Sequence, residues 1–261
     1  MTYRRRLNMA VFTYSYKDGK CGTDGEDGKD LPILPDVDPA EGKAGQDAQC
    51  IWFQKKVPPT AGEDGKGGEN GRTGNNGMPG KDGENGSFGP YVEIDAKTFG
   101  TEHITFDFRG RKGGSGGDGG RGGRGQDGQN GQHGGKTGKL GPCTELPVPS
   151  PSKGGRGGRG GNGGDGGRGG NGGNGGDGGV LIIKYRLSQP FINADTDGGM
   201  AGTGGTGGMA GSAGQGGRGG WNGDFHSSAQ DGDNGVPGQN GDAGSAGQNG
   251  RRGCVSFFTM D

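Results

Sequence analysis

The sequence predicts a mainly irregular and β fold, in which a bundle of about six polyglycine II helices is attached to a small antiparallel β-sheet or barrel. Two observations carry this prediction. Glycine occupies every third position through five long stretches, and short apolar segments separate these stretches. A period of three is that of the polyglycine II conformation, which has three residues per turn and no internal hydrogen bonds, whereas the apolar segments have the composition of β-strands.

Composition limits the ways in which this chain can be held together. It has 261 residues, of which 74 are glycine, and only 24% are hydrophobic. This apolar content is too low for a globular core of ordinary size, and composition alone is typical of disordered or collagen-like chains. We nevertheless expect an ordered chain in which hydrogen bonds between glycine runs replace much of the core. The apolar residues gather into segments at 11–16, 91–94, 104–108, 180–185 and 255–258.

The segments recur in a larger pattern of strand, run, loop, run and strand. This pattern predicts one elongated domain made of three units, at 8–97, 102–186 and 190–261. The predicted strands are 11–17, 91–96, 103–109, 180–186, 190–195 and 254–260. The predicted runs are 19–28, 62–89, 110–134, 154–178, 199–223 and 232–253. The loops that join paired runs, and that form the tip of the bundle, are 29–61, 136–153 and 221–231.

The residues between the glycines predict which faces of each run meet a neighbour. Polyglycine II helices can approach closely only along rows of bare glycine. The run at 154–179 repeats GGX and should have neighbours on two sides, whereas the GXX runs at 62–89 and 232–253 should lie at the edge. The run at 200–221, whose third row is nearly uncharged, is predicted to be the most buried. The glycines expected on contact faces include Gly119, Gly122, Gly163, Gly166, Gly169, Gly205 and Gly208.

The charge pattern and the titratable residues predict neither catalysis nor the binding of a metal, a cofactor or a nucleic acid. The net charge is −1 with acids and bases interleaved, so we expect no nucleic-acid partner and no membrane insertion. The three histidines lie in different segments, so we expect no enzyme, no cofactor and no metal site. The cysteines are widely spaced and allow three disulfide connectivities, and free thiols in a reduced compartment are favoured. These cysteines are Cys21, Cys50, Cys143 and Cys254.

Three short motifs are typical of other functions. The GXX runs are collagen-like, but they contain only Pro79 and Pro237, and trimerisation through them stays an alternative. Arg-Gly-Gly repeats at 121–124 and 156–168 are similar to RNA-binding segments, yet aspartates interrupt the arginines and no aromatic residue is available for stacking. A phosphate-binding loop is nearly matched near 131–137, but Asn130 stands where that motif requires glycine.

Several glycine-rich strings resemble those of known families. GGDGGRGG at 116–123 and 163–170, with GCVSF at 253–257, resembles the N-terminal domain of Obg GTPases, which implies a small β-barrel joined to six polyglycine II helices. The string at 157–179 is similar to the motifs of tail-fibre adhesins of T-even-like phages, which implies stacked helices with receptor-binding loops at the tip. Springtail antifreeze proteins are a third analogue, with Thr203 and Thr206 as an ice face. No binding residue transfers from these families.

The chain is therefore expected to be a non-enzymatic structural and binding module of the adhesin or receptor-binding type. The bundle serves as a rigid scaffold, and the tip loops recognise a surface glycan or protein. Self-assembly of the chain with itself into a filament or particle, and ice binding, are the alternatives, and capping of the helix ends is the alternative role for the tip aromatics. The tip-loop candidates are Trp52, Phe53, Leu146, Trp221, Phe225 and His226.

The start of the sequence favours no standard secretory signal. It has a basic cluster but lacks an adequate apolar segment and a small-residue cleavage site. Analogy with the tail-fibre adhesins favours a virion or cell surface, and neither the location nor the oligomeric state is fixed by the sequence.

Overall fold

The computed structural model describes residues 17–34, 41–50, 56–99 and 103–261. Within these ranges the chain forms five β-strands and no α-helix, and the rest consists of glycine-rich runs and loops. No helix in the described part of the chain is long and apolar enough to span a bilayer. Each strand falls within a predicted one, whereas the strand predicted at 11–17 lies outside the described residues apart from its last position. The strands are β1 (Tyr91–Ala96), β2 (Ile104–Asp107), β3 (Val180–Tyr185), β4 (Ile192–Asp195) and β5 (Cys254–Thr259).

The strands form two small parallel sheets, so the predicted antiparallel sheet or barrel is wrong. β3 lies between β1 and β5 in one sheet, and β2 pairs with β4 in the other. Consecutive strands never pair, because the chain crosses to the second sheet after β1 and again after β3. All strands of one sheet are therefore entered from the same end, which makes their pairing parallel. The described strands leave both sheets open.

Six glycine-rich runs are described, and their hydrogen bonds repeat every third residue. In run 3, the N–H groups of Gly113, Gly116 and Gly119 donate to carbonyls at 200, 203 and 206 in run 5, at 2.8 to 2.9 Å. This period of three is that of the polyglycine II conformation, whose backbone groups must find partners outside their own run. The runs are run 1 (17–34 and 41–48), run 2 (60–89), run 3 (108–139), run 4 (153–179), run 5 (196–221) and run 6 (229–253).

The runs lie in two layers. Runs 1, 3 and 5 are parallel to one another, and runs 2, 4 and 6 form the second layer and point the opposite way. Among the described residues, the backbone of each run bonds only to the two runs before it and the two runs after it. Runs 2, 4 and 6 continue into β1, β3 and β5, whereas β2 and β4 lead into runs 3 and 5. Each sheet is thus the extension of one layer.

The neighbours predicted for the runs are only partly right. Run 6 lies at the edge, as predicted, with backbone bonds to runs 4 and 5. Run 2 was also predicted at the edge, but its backbone bonds to three runs, namely 1, 3 and 4. Run 4 was predicted to have neighbours on two sides, but its backbone bonds to four runs, namely 2, 3, 5 and 6. Run 5 is not the most buried, since runs 3 and 4 are the more enclosed and the side chains of Met200 and Met209 in run 5 are each 67% exposed.

The discrepancy at run 2 arises because a residue with a side chain can still bond on two sides of its backbone. Met78 donates its N–H to Glu26 O in run 1 at 2.8 Å, and its carbonyl accepts the N–H of Gly120 in run 3 at 2.8 Å. The Met78 side chain points outward between runs 1 and 3, and the residue is 58% exposed. A GXX pattern therefore does not restrict a run to one neighbour.

Glycine is required where the runs approach most closely. A Cβ on Gly166 in run 4 would overlap the carbonyl oxygen of Gly208 in run 5, and a Cβ on Gly208 would overlap that of Gly120 in run 3. Gly67 in run 2 is different, because a Cβ there would meet only Arg156 O at 3.5 Å, an ordinary contact distance. Overlap with a backbone oxygen also occurs at Gly119, Gly122, Gly163, Gly169 and Gly205.

Aspartate and asparagine side chains bridge neighbouring runs of one layer, and we call this arrangement the Asp/Asn ladder. Asp24 Oδ1 in run 1 accepts the N–H of Asp118 in run 3 at 2.9 Å, and Asp118 Oδ1 accepts the N–H of Thr206 in run 5 at 2.7 Å. The bond from Thr206 lowers the pKa of Asp118. In the other layer, Asn76 and Asp165 connect runs 2, 4 and 6 in the same way. The ladder satisfies outward-facing N–H groups that no backbone carbonyl reaches.

The ladder leads to a prediction about Asp118. Replacing Asp118 with alanine removes the acceptor of the Thr206 N–H, so we expect the free energy of unfolding to fall measurably. Asp118→Asn keeps an Oδ1 acceptor and is expected to cost less than half of that. Denaturant titration measures the stability, and amide hydrogen exchange at Thr206 should accelerate only in the alanine variant. Equal losses in the two variants would contradict the role given to Oδ1.

The hydrophobic core lies between the two sheets and is small. Leu181 and Ile183 of β3 are completely buried, and Phe108, which follows β2, is nearly so. Where β2 passes into run 3, the Arg109 guanidinium donates two hydrogen bonds to Asp107, at 3.0 and 3.1 Å, and lowers the pKa of that carboxyl to about 2. The residues packed against the core include Val92, Ile94, Phe106, Ile192, Ala194 and Val255.

Candidate recognition site at the loop end

Three loops lie at the end of the bundle opposite the strands, and covalent and ionic contacts connect two of them. Cys50, at the end of run 1, forms a disulfide with Cys143 in the loop between runs 3 and 4. Lys56, which precedes run 2, places its Nζ 3.0 Å from Oε2 of Glu145, and Glu145 lies in the same loop as Cys143. The expectation of free thiols is therefore wrong for this pair, which spacing could not reveal because the two cysteines are 93 residues apart. Cys21 and Cys254 are free and exposed.

The loop between runs 5 and 6 holds Phe225 in an unusual backbone conformation. Trp221 and Ser228 close this loop through an antiparallel bridge, and Asn222 Nδ2 donates to Ser227 Oγ at 2.6 Å. The N–H of Phe225 donates to Asn222 O at 2.8 Å, and Phe225 has a φ of 61°. Such a conformation costs a bulky residue about 1 to 3 kcal/mol, and residues strained in this way cluster at functional sites.

Contacts from run 3 fix the surroundings of Phe225. The Trp221 N–H donates to His133 Nδ1 at 2.9 Å, which requires that nitrogen to be unprotonated, and the His133 ring lies 6.4 Å from the Phe225 ring. Lys136 Nζ lies 5.5 Å from the centre of the Phe225 ring, within cation–π distance. Ser152 joins the loops, because its Oγ donates to Gly135 O at 2.6 Å and its carbonyl accepts the Gly223 N–H at 2.9 Å.

The end of run 3, the loop between runs 3 and 4, and the loop between runs 5 and 6 line an open depression with a volume of about 410 Å³. Its lining lysines, Lys136 and Lys139, come from the end of run 3, and Asp224 and Phe225 come from the loop between runs 5 and 6. The apolar part of its wall consists of Val148, Pro149 and Pro151. A concave apolar surface with a few charged groups at its margin is typical of ligand sites.

The structure brings only some of the predicted tip residues together. Phe225 lines the depression, whereas Trp221 is 45% exposed and is not one of the lining residues. His226 is exposed outside the depression, and its N–H donates to Asp224 Oδ1 at 3.1 Å. Leu146 is half-buried in the loop between runs 3 and 4 and does not line the depression. Trp52 and Phe53 lie outside the described residues.

The lysines of this site are not among the predicted tip residues. Lys136 and Lys139 both fall in the predicted loop at 136–153, although a spacing of three places them on one face of run 3. That spacing, close to the predicted tip, was the signal that could have identified them. Among the described residues, no cluster of three or more histidine, cysteine, aspartate or glutamate side chains could hold a metal ion.

Comparisons with known proteins give no family. No family model matches the chain, and no curated protein matches it, so the resemblances to Obg GTPases and phage adhesins find no support there. The chain is similar to a solved springtail antifreeze protein from Granisotoma rainieri, described as a nine-helix polyproline type II bundle. The two are 22% identical over 84% of this chain and 94% of that one, with a TM-score of 0.11. A TM-score this low supports no conclusion about fold or function.

Proposed function

We propose that this protein is a non-enzymatic binding module whose loop end recognises a surface glycan or protein. The observation that carries the proposal is Phe225, an aromatic residue held at positive φ on the wall of an open depression. Residues kept in such conformations cluster at binding sites, where the surrounding structure compensates for the strain. The two hydrogen-bonded layers of runs serve as the rigid support of this end.

Exposed apolar side chains at the loop end also support recognition. Trp221 is 45% exposed, Phe225 is 40% exposed and Val148 is 61% exposed. Aromatic side chains with two rotatable bonds supply contact area at low entropic cost, which is why they are common in binding surfaces.

The disulfide is a further observation in favour of a surface role. Cys50 and Cys143 connect two of the loops, and Cys143 is 4% exposed. Disulfides persist mainly in oxidising environments outside the cytosol. A protein that meets surface ligands would work in such an environment, with the loop end held in one arrangement.

Removal of the Phe225 ring tests the proposal. We expect Phe225→Ala to lower affinity at least tenfold while the melting temperature changes by less than a few degrees, because the ring is a contact residue on the surface. Binding of the labelled full chain is measured on a glycan array and on intact bacterial and animal cells. Phe88→Ala is the matched control, since Phe88 is 70% exposed but precedes β1 at the opposite end.

The possible outcomes separate the alternatives. Equal binding by the Phe225→Ala and Phe88→Ala variants would overturn recognition at the loop end. Loss of the folded state in Phe225→Ala would instead favour a capping role. Light scattering that grows with protein concentration, without binding to glycans or cells, would favour self-assembly, and reshaped ice crystals in a cooled solution would favour ice binding.

A further inference from the structure

We propose that the depression at the loop end binds a carboxylated sugar, such as a uronic or sialic acid at the end or in the chain of an acidic glycan. The inference rests on the proposed function and names the class of ligand for the same site. Two features carry it: a pair of lysines, and an aromatic and apolar wall.

The lysines supply positive charge that the protein itself neutralises only weakly. Lys136 Nζ lies 3.8 Å from Glu41 Oε2, at the outer limit of an ion pair. None of the ion pairs among the described residues involves Lys139. Both side chains are exposed and line the depression. A ligand carboxylate next to them would form charge-assisted hydrogen bonds, which are stronger than neutral ones.

The rest of the wall is apolar, so the part of the ligand that lies away from its carboxylate should offer an apolar surface. Phe225, Val148, Pro149 and Pro151 present ring faces and aliphatic carbons. A pyranose ring has an apolar C–H face that packs on such surfaces, while its hydroxyl groups stay at the margin. An inorganic anion would leave the apolar wall uncovered, and a purely apolar ligand would leave the lysines without a partner.

A polar group at the margin matches the hydroxyl groups of a sugar. Asp224 lines the depression, and its carboxylate is an acceptor for hydroxyl donors. The volume of about 410 Å³ lies within the range of small-ligand sites.

The experiment compares acidic sugars with neutral counterparts of the same shape. Binding of the full chain to methyl glycosides of glucuronic, galacturonic and N-acetylneuraminic acid, and to the carboxyl-reduced form of each, is measured by titration calorimetry and ligand-observed NMR. We expect at least one acid to bind ten or more times tighter than its reduced form, and added salt to weaken only the acid. Lys139→Gln should reduce that preference about tenfold. Lys153→Gln, which changes an exposed lysine at the start of run 4 outside the depression, should leave it unchanged.

Each contrary result identifies what has failed. If the acids and their reduced forms bind equally, the carboxylate inference is wrong and glycan recognition stands. If no sugar binds, or a polyglutamate peptide competes as well as the best acid, while Phe225→Ala still abolishes cell binding, the ligand is a protein and this inference is wrong although the proposed function stands. If Phe225→Ala affects no binding of any kind, both are overturned.

Discussion

Replacing Gly166 with valine is expected to lower the free energy of unfolding by about 4 kcal/mol or more, the range reached when buried backbone packing is broken. Gly166 lies in run 4, where its N–H donates to Gln239 O in run 6 at 2.8 Å and a Cβ would overlap Gly208 O in run 5. The obstacle is backbone, which cannot rotate away as a side chain can. Denaturant titration followed by calorimetry measures the loss.

A glycine in an open position provides the control for this prediction. Gly67→Ala in run 2 should be neutral or should stabilise by about 0.4 to 1 kcal/mol, because the added methyl group meets only Arg156 O at 3.5 Å and restricts the unfolded chain. Gly67 is also not among the residues with positive φ. An unchanged melting temperature in Gly166→Val, or equal losses at the two positions, would contradict the packing described for the runs.

Truncating Ile183 in β3 is expected to have the second largest effect. Ile183→Ala should cost about 2 to 5 kcal/mol, since the side chain is completely buried and its removal leaves a cavity between the sheets. The same change at Ile182, which is only partly buried on the other face of β3, is the matched control and should cost less than half as much. Thermal unfolding of both variants gives the comparison.

The comparison at β3 has a clear contrary outcome. If Ile182→Ala and Ile183→Ala destabilise the protein equally, then both faces of β3 are covered. If neither variant loses stability, the small core contributes little and the hydrogen-bonded runs alone hold the fold. Ile183→Val, which removes one methyl group, should fall between the parent protein and the alanine variant, at about 0.5 to 1.5 kcal/mol.

The sequence was a good guide to where strands occur and a poor guide to how they pair. β1 was predicted with its observed bounds, because its apolar residues are isolated between glycine runs. The direction of pairing depends on whether the short connection after β1 turns back within one sheet or crosses to a second one. The pattern of residues 97–103 did not distinguish these two routes, whereas the observed sheets each follow one layer of runs.

The same distinction applies to the candidate site. Trp221 and Phe225 could be placed at the tip because they interrupt the glycine pattern between two runs. The depression beside them needs Lys136 from run 3 and Pro149 from another loop, which come together only after the runs have aligned. Likewise, the Asp/Asn ladder joins residues such as Asp118 and Thr206 that are 88 positions apart.

The zigzag order of the runs has a consequence for how the chain can be assembled. The backbone of every described run bonds to runs no more than two places away along the chain, so a newly made run finds its whole binding groove in the two runs already present. Folding can therefore advance from the N-terminus during synthesis, one run at a time, without waiting for distant segments. In this sequence of events each described run from the third onward docks on both layers at once, and run 6 does so on runs 4 and 5 before β5 pairs with β3.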